Sequence, residues 1–142
     1  MVIKQISVLL GNVPGTLARL TETLDKEDIS PKAMLTASTA DDSVVRIVVN
    51  EPERAGVVLE SFKFNFEISS VLAVEVPLHP TGMNAILKPL ATAGINIHYL
   101  YTTINRLGEE TIVILGVDKI EEAEEILRNN WINIIGEEIY SL

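Results

Sequence analysis

The sequence predicts an α+β protein of two βαββαβ units side by side, forming one extended antiparallel sheet with the helices on one face. Three observations carry this expectation. Hydrophobic residues recur at strand spacing and then, within a few residues, at helix spacing, as where Ile6, Val8 and Leu10 give way to Leu17, Leu20 and Leu24. The same order of elements occurs twice. The two copies hold a common register across most of their length, which marks an internal duplication.

The first strand, residues 3–10, enters the turn Gly11-Asn12-Val13-Pro14-Gly15. Asn12 suits a helix N-cap, Pro14 a first helical turn where its missing N–H is no loss, and Gly15 a close backbone approach. The helix runs to about residue 26 and Asp28 ends it. A second strand, 32–38, turns at Ala40-Asp41-Asp42-Ser43 into a third, 44–49, which is apolar on both faces apart from Arg46. Asn50 as cap and Pro52 as first-turn residue open a second helix, whose buried face is Ala55, Val58, Leu59 and Phe62. Phe64, Phe66 and Ile68 alternate in a short closing strand.

Pro80 follows Pro14 at an offset of 66, where Leu72, Val74 and Val76 repeat Ile6, Val8 and Leu10. At the same offset Met83, Ile86 and Leu90 repeat Leu17, Leu20 and Leu24, and Ile95-Asn96 repeats Ile29-Ser30. Past the hairpin Arg106-Leu107-Gly108-Glu109 the offset becomes 68, so Val113, Leu115 and Val117 repeat Val45, Ile47 and Val49. The expected units are therefore residues 1–69 and 70–142. Pro89 should kink or shorten the third helix by removing one hydrogen bond. The strands at 44–49 and 111–117 are apolar on both faces, which requires cover on the side away from the helices. The expectation is that the units join edge to edge and that another chain, in a homodimer, covers that side. The tail 136–142 is a candidate extra edge strand, by its likeness to the linker 69–72.

Composition narrows the function. Hydrophobic residues make up 47% of 142 residues, enough for an ordered core. No apolar run reaches the roughly 18 residues of a membrane span, and residues 1–4 lead into a strand rather than a signal peptide, so a cytoplasmic protein is expected. The absence of cysteine excludes disulfides and thiol chemistry, and a net charge of −9 speaks against nucleic acid and anionic membranes. His79 and His98 are the only imidazoles and show no metal-ligand spacing; no metal and no cofactor are expected. No Ser-His-Asp, paired-carboxylate or nucleotide-binding constellation appears, so no catalytic residues are assigned.

The motif Asn12-x-Pro14-Gly15-x-Leu17 at a strand end, with Gly94-Ile95-Asn96-Ile97 opening the corresponding strand of the second copy, resembles the ACT domain. This is the amino-acid-binding regulatory module of many enzymes of amino-acid metabolism, and the resemblance covers nearly the whole chain. It implies ferredoxin-like units, a free-standing non-enzymatic regulator, and a partner enzyme to which occupancy by a free amino acid or similar carboxylate is signalled in trans. In such modules the ligand lies between neighbours, held by the turn of one and by the start of the second strand of the other. Carried onto this chain, the ligand site is Asn12, Val13, Pro14, Gly15 and Thr16 with Ile95, Asn96 and His98. The turn N–H groups would hold a carboxylate, and Asn oxygens an ammonium. The twin site, Leu78, His79, Thr81 and Gly82 with Ser30, departs from the pattern: Leu78 replaces Asn12 and Thr81 replaces Gly15, so it is expected to be degenerate.

Plainer readings stand beside these. Asn12 also suits a simple cap, Asn96 an ordinary strand start, and Tyr99 and Tyr101 packing. One alternative function is a structural, dimerising adaptor without a small ligand. Another is an acylphosphatase-like hydrolase, since Gly11-x-Val13-x-Gly15-x-x-x-Arg19 resembles that family's phosphate cradle; the strand 32–38, however, lacks the Asn that orients water there.

Overall fold

The computed structural model describes residues 1–78, 82–105 and 108–142. Its elements are β1 (Ile3–Gly11), α1 (Thr16–Asp25), β2 (Pro31–Ser38), β3 (Asp42–Val49), α2 (Pro52–Ser61), β4 (Asn65–Val76), α3 (Gly82–Thr92), β5 (Ile97–Thr102), β6 (Thr111–Val117), α4 (Ile120–Asn129), β7 (Ile134–Ile135) and a closing 3-10 turn (Glu137–Ser141). This is the expected order of elements in both copies. Residues Arg106 and Leu107 of the expected second hairpin, and His79, Pro80 and Thr81, lie outside the described residues.

The duplication is written into the backbone. Asp28 and Gly94, 66 apart, both take positive φ (57° and 73°) just past a helix, and Lys63 and Trp131, 68 apart, do the same (62° and 63°). Ile29 N–H returns to the Leu24 carbonyl as Ile95 does to Leu90, each at 3.0 Å. These left-handed residues end the helix and turn the chain back against the sheet.

The strands run β2-β3-β1-β4-β6-β5, with β7 also on β4, in one seven-stranded antiparallel sheet. Its centre is β4. The first part of β4 pairs with β1, from Asn65 opposite Leu9 to Val71 opposite Ile3, and the second with β6, from Leu72 opposite Leu115 to Val76 opposite Thr111. The segment expected as a linker, residues 69–72, is therefore strand, and the boundary expected at residue 69 falls inside β4.

Two cores lie under the helices. Leu20, Leu24, Ala55 and Leu59 pack on Ile6, Val8 and Ile47 in the first unit; Ile86, Leu90, Ala123 and Leu127 pack on Leu72, Val74 and Val113 in the second. A third core lies on the other side of the sheet. Ile3, Ala33, Val48 and Val71 of the first unit meet Tyr101, Ile112, Ile114 and Ile135 of the second. The sheet folds over on β4 so that its two halves cover each other, and its ends meet where Ala33 bridges Thr103 and Ile104 N–H donates to the Lys32 carbonyl at 2.7 Å. The cover that the doubly apolar strands require thus comes from within the chain, not from another one. Each fully buried Ile here contributes about 2 kcal/mol by removal from water.

Other details differ from expectation. Phe62 is 52% exposed, because α2 ends at Ser61 and the chain turns away. Asn50 does not cap α2: its Oδ1 accepts from Ser30 N–H at 3.0 Å and its Nδ2 donates to the Asp28 carbonyl, while Glu51 holds the cap position. Pro52 opens α2 as expected. Pro89 leaves α3 neither broken nor short, since the helix runs on to Thr92. The tail forms no edge strand; β7 pairs with β4 at Ala73 and Val74, and the 3-10 turn that follows seats Ile139 in the inner core.

Candidate functional site

The β1–α1 turn is held by its own polar groups. Gly15, at φ 90°, is the N-cap of α1 without a side-chain cap bond, so Asn12 is not the cap expected from its type, and Pro14 precedes the helix. Asn12 lies three residues upstream, where its Nδ2 donates to the Thr39 carbonyl and its N–H to the Asp41 carbonyl, both at 2.9 Å. The turn is thereby tied to the β2–β3 hairpin. Thr16 Oγ1 donates back to the Gly11 and Val13 carbonyls at 2.9 and 3.1 Å. Among the described residues no backbone carbonyl accepts from Gly15, Leu17 or Ala18, which leaves three N–H groups at the positive end of the helix dipole. Val13 is exposed beside them.

Asn96 opens β5 on the second unit. Its N–H donates to Asp118 Oδ1 at 3.0 Å, the counterpart of the Ser30 to Asn50 bond, and its Nδ2 lies 3.4 Å from His98 Nδ1. Ile95 is a core residue, 6% exposed. Asn12 and Asn96 thus each bond within their own unit, and no hydrogen bond among the described residues joins them. In the twin turn, Leu78 is 80% exposed, and Gly82 opens α3 so close to the Pro77 carbonyl that a side chain would not fit. His79 and Thr81 lie outside the described residues.

Arg19, the residue a phosphate cradle would need, is engaged elsewhere. Its guanidinium lies 4.4 Å above the Phe64 ring and donates to the Phe62 carbonyl at 3.4 Å, at the end of α2. Two further cavities lie away from the turn: one of about 440 Å³ between Lys4, Pro52 and Tyr140, and one of about 670 Å³ between α3 and α4 at Lys88, Pro89 and Asn130.

A polar cluster that the sequence did not reveal lies between the sheet halves. Gln5 is fully buried; its Nε2 donates to Tyr99 Oη at 2.7 Å and its Oε1 accepts from Tyr101 Oη. The only signal in the sequence was an amide at a β1 position alternating with core residues.

The duplicated βαββαβ units and their strand-to-helix turn define a tandem ferredoxin-like pair. The chain matches the family described as ACT domain pair over residues 1–141 and belongs to it. No curated protein sequence matches it. Among solved structures it is similar to protein BT0572 from Bacteroides thetaiotaomicron, at 29% identity and TM-score 0.92 over 100% of this chain and 98% of that one. It shares its fold with the ligand-free regulatory subunit of aspartate kinase from Thermus thermophilus, at 16% identity and TM-score 0.63 over 90% and 92% of the two chains. The corresponding subunit from Thermus flavus gives 14% identity and TM-score 0.58 over the same shares.

Proposed function

We propose that this chain is a non-catalytic sensor that binds a free amino acid or similar carboxylate at the Asn12–Thr16 turn and signals occupancy to an enzyme of amino-acid metabolism. The observation that carries the reading is the donor and acceptor set of the turn. Three N–H groups at the α1 start suit a carboxylate, and Asn12, whose Nδ2 is committed to Thr39, turns an Oδ1 without a partner among the described residues toward an ammonium. Membership of the ACT domain pair family supports it, as does a fold shared with two regulatory subunits of aspartate kinase. The second unit contributes Asn96 and His98. From the Ala33–Thr103 bridge, β2 and β5 run antiparallel, which directs the β2–β3 hairpin toward the start of β5. A ligand between the units favours the arrangement that closes its site, and that preference is the signal.

The test is a thermal-shift screen of the purified protein against the twenty amino acids and a set of 2-oxo and aryl acids at millimolar concentration. A compound at 100 times its Kd adds about 2.7 kcal/mol, a shift of several degrees. The expected result is a shift for one or two compounds that Asn12→Ala removes and Leu78→Ala leaves in place. Equal effects of the two substitutions would refute the asymmetric site, and no shift for any compound would favour the adaptor.

A further inference from the structure

The duplication supplies a comparison within the chain. In the first unit the space between α1 and α2 is bridged: the Arg19 guanidinium lies 4.4 Å above the Phe64 ring and donates to the Phe62 carbonyl at the end of α2. At the offset of 66 the second unit has Ala85 in place of Arg19 and Ala93 in place of Glu27. Between α3 and α4 there is accordingly an open groove of about 670 Å³, apolar at Ala85, Pro89, Ala93 and Ile126 and polar at Lys88 and Asn130. Such a mixed lining suits an indole, whose ring is apolar and whose N–H needs an acceptor.

Trp131, the only tryptophan in the chain, directly follows Asn130 of that groove. It is 95% exposed and Leu78 is 80% exposed, the two highest values of any large apolar side chain among the described residues. Both stand at one end of the second unit. Glu75 N–H donates to the Asn133 carbonyl at 3.0 Å and Asn133 Nδ2 to Glu75 Oε2 at 2.9 Å, which ties the end of β4, just before Leu78, to the segment after Trp131. Their counterparts in the first unit are the polar Asn12 and Lys63. Lys63 makes the same left-handed helix exit as Trp131, so the fold has no need of an indole there.

We propose that the α3–α4 face is a homodimer interface in which Trp131 of each copy enters the groove of the other. A projecting side chain and a matching groove side by side on one surface are what a two-fold axis requires, because the same operation fills both grooves. Tryptophan in a pocket is also the residue type that most often anchors an interface. Charge agrees with a second copy as the occupant. Lys88 beside the groove and Glu121, Glu122 and Glu125 on α4 make no ion pair among the described residues. Insertion of the indole at the end of α4 brings that helix along α3 of the partner, where each Lys88 meets the other copy's carboxylates. The contact goes beyond the ligand reading and stands without it.

The test is a dilution series of the full chain followed by sedimentation velocity and by tryptophan emission. At high micromolar concentration the expected result is the mass of two chains, with blue-shifted emission shielded from iodide. On dilution the chains separate and the indole returns to water, so the stability of the single chain is read there. Trp131→Lys, which installs the residue of the first unit, should fold normally and weaken association by about tenfold or more. Ala85→Arg, which installs the side chain that bridges the first unit's helices, should do the same and keep its indole in water at every concentration. Mixing the two variants pairs an open groove with an intact indole, and the mixture should recover association and a blue shift that neither variant shows alone. A single chain at every concentration, a dimer that Trp131→Lys or Ala85→Arg leaves intact, or a mixture that behaves as the sum of its parts would overturn the interface.

Discussion

The phenolic oxygen of Tyr101 donates to Oε1 of Gln5 at 2.5 Å, joining β5 of the second unit to β1 of the first inside the closed part of the sheet. Burial, with Tyr99 adding to it, pushes the Tyr101 hydroxyl far above its usual range, so it remains a protonated donor at any pH the protein meets. Together with the bond from Gln5 Nε2 to Tyr99 Oη it ties the inner face of the first unit to that of the second, and Gln5 has no other partner for its oxygen among the described residues.

Tyr101→Phe should therefore cost about 1–3 kcal/mol in chemical denaturation, because it leaves the buried Gln5 oxygen without a donor. Adding Gln5→Leu should recover part of that loss by removing the stranded group. A double variant no more stable than Tyr101→Phe alone would mean that Gln5 is held mainly by its bonds to Tyr99 and Ser69.

Gly116→Ala tests the same interface from the opposite side. A Cβ on Gly116 would run into the Tyr99 ring, which is stacked 6.2 Å from Tyr101 and lies under Arg46. The ring must move, with an expected loss of about 1–3 kcal/mol in thermal or denaturant unfolding. In combination with Tyr99→Leu the two effects should fall short of additivity, because the smaller side chain makes room. Strict additivity would show that the ring already moves freely.

The strength of the duplication in the sequence has a physical basis. The buried positions of strands and helices repeat at offsets of 66 and 68 because close packing restricts what they accept, whereas the left-handed helix exits hold four different residues, Asp28, Gly94, Lys63 and Trp131. The covering of the inner face was hidden for the converse reason. Hydrophobic alternation shows that Val48 and Ile112 must be buried but not against what, and the same pattern serves a dimer or a folded-over sheet. Continuity of β4 was no more legible, because the Ser69-Ser70 pair inside Ile68-Ser69-Ser70-Val71-Leu72 suits a turn as well as a strand. At the candidate site, Asn12 and Gly15 were legible as turn chemistry, but the role of Asn12 as a tie to Thr39 was not. That bond depends on the distance between two loops far apart in sequence.

Glu110 gives a pH dependence with a definite sign. Loss of hydration and the neighbouring Glu75 carboxylate raise its pKa above the ordinary carboxylate value. The folded state then holds a proton there more tightly than the unfolded chain does, so the contribution favours folding below the unfolded pKa and is lost as pH rises through the folded one. Glu110→Gln should accordingly leave the protein no less stable at neutral pH and should flatten the mildly acidic part of its stability profile, measured by thermal unfolding at stepped pH. A decrease in stability at neutral pH would show that the carboxylate makes a favourable contact instead.

Trp131 offers a gain in stability, with the duplication as its internal control. It follows α4 at φ 63°, where an L side chain costs about 1–2 kcal/mol, and at 95% exposure its ring recovers little of that by packing. Its counterpart Lys63 sits at φ 62° in the same role, whereas the other pair of helix exits already has a glycine in one copy, Gly94, and the tolerant Asp28 in the other. Trp131→Gly and Lys63→Gly should each raise stability by up to about 1 kcal/mol, the strain relieved less the added freedom of glycine in the unfolded chain. Asp28→Gly should gain less, since Asp enters the left-handed region at smaller cost. Melting temperatures of the three variants decide it: a rise in the first two with little change in the third is the expected order. A fall in Trp131→Gly alone would mean that the indole makes a contact in solution that its exposure does not suggest.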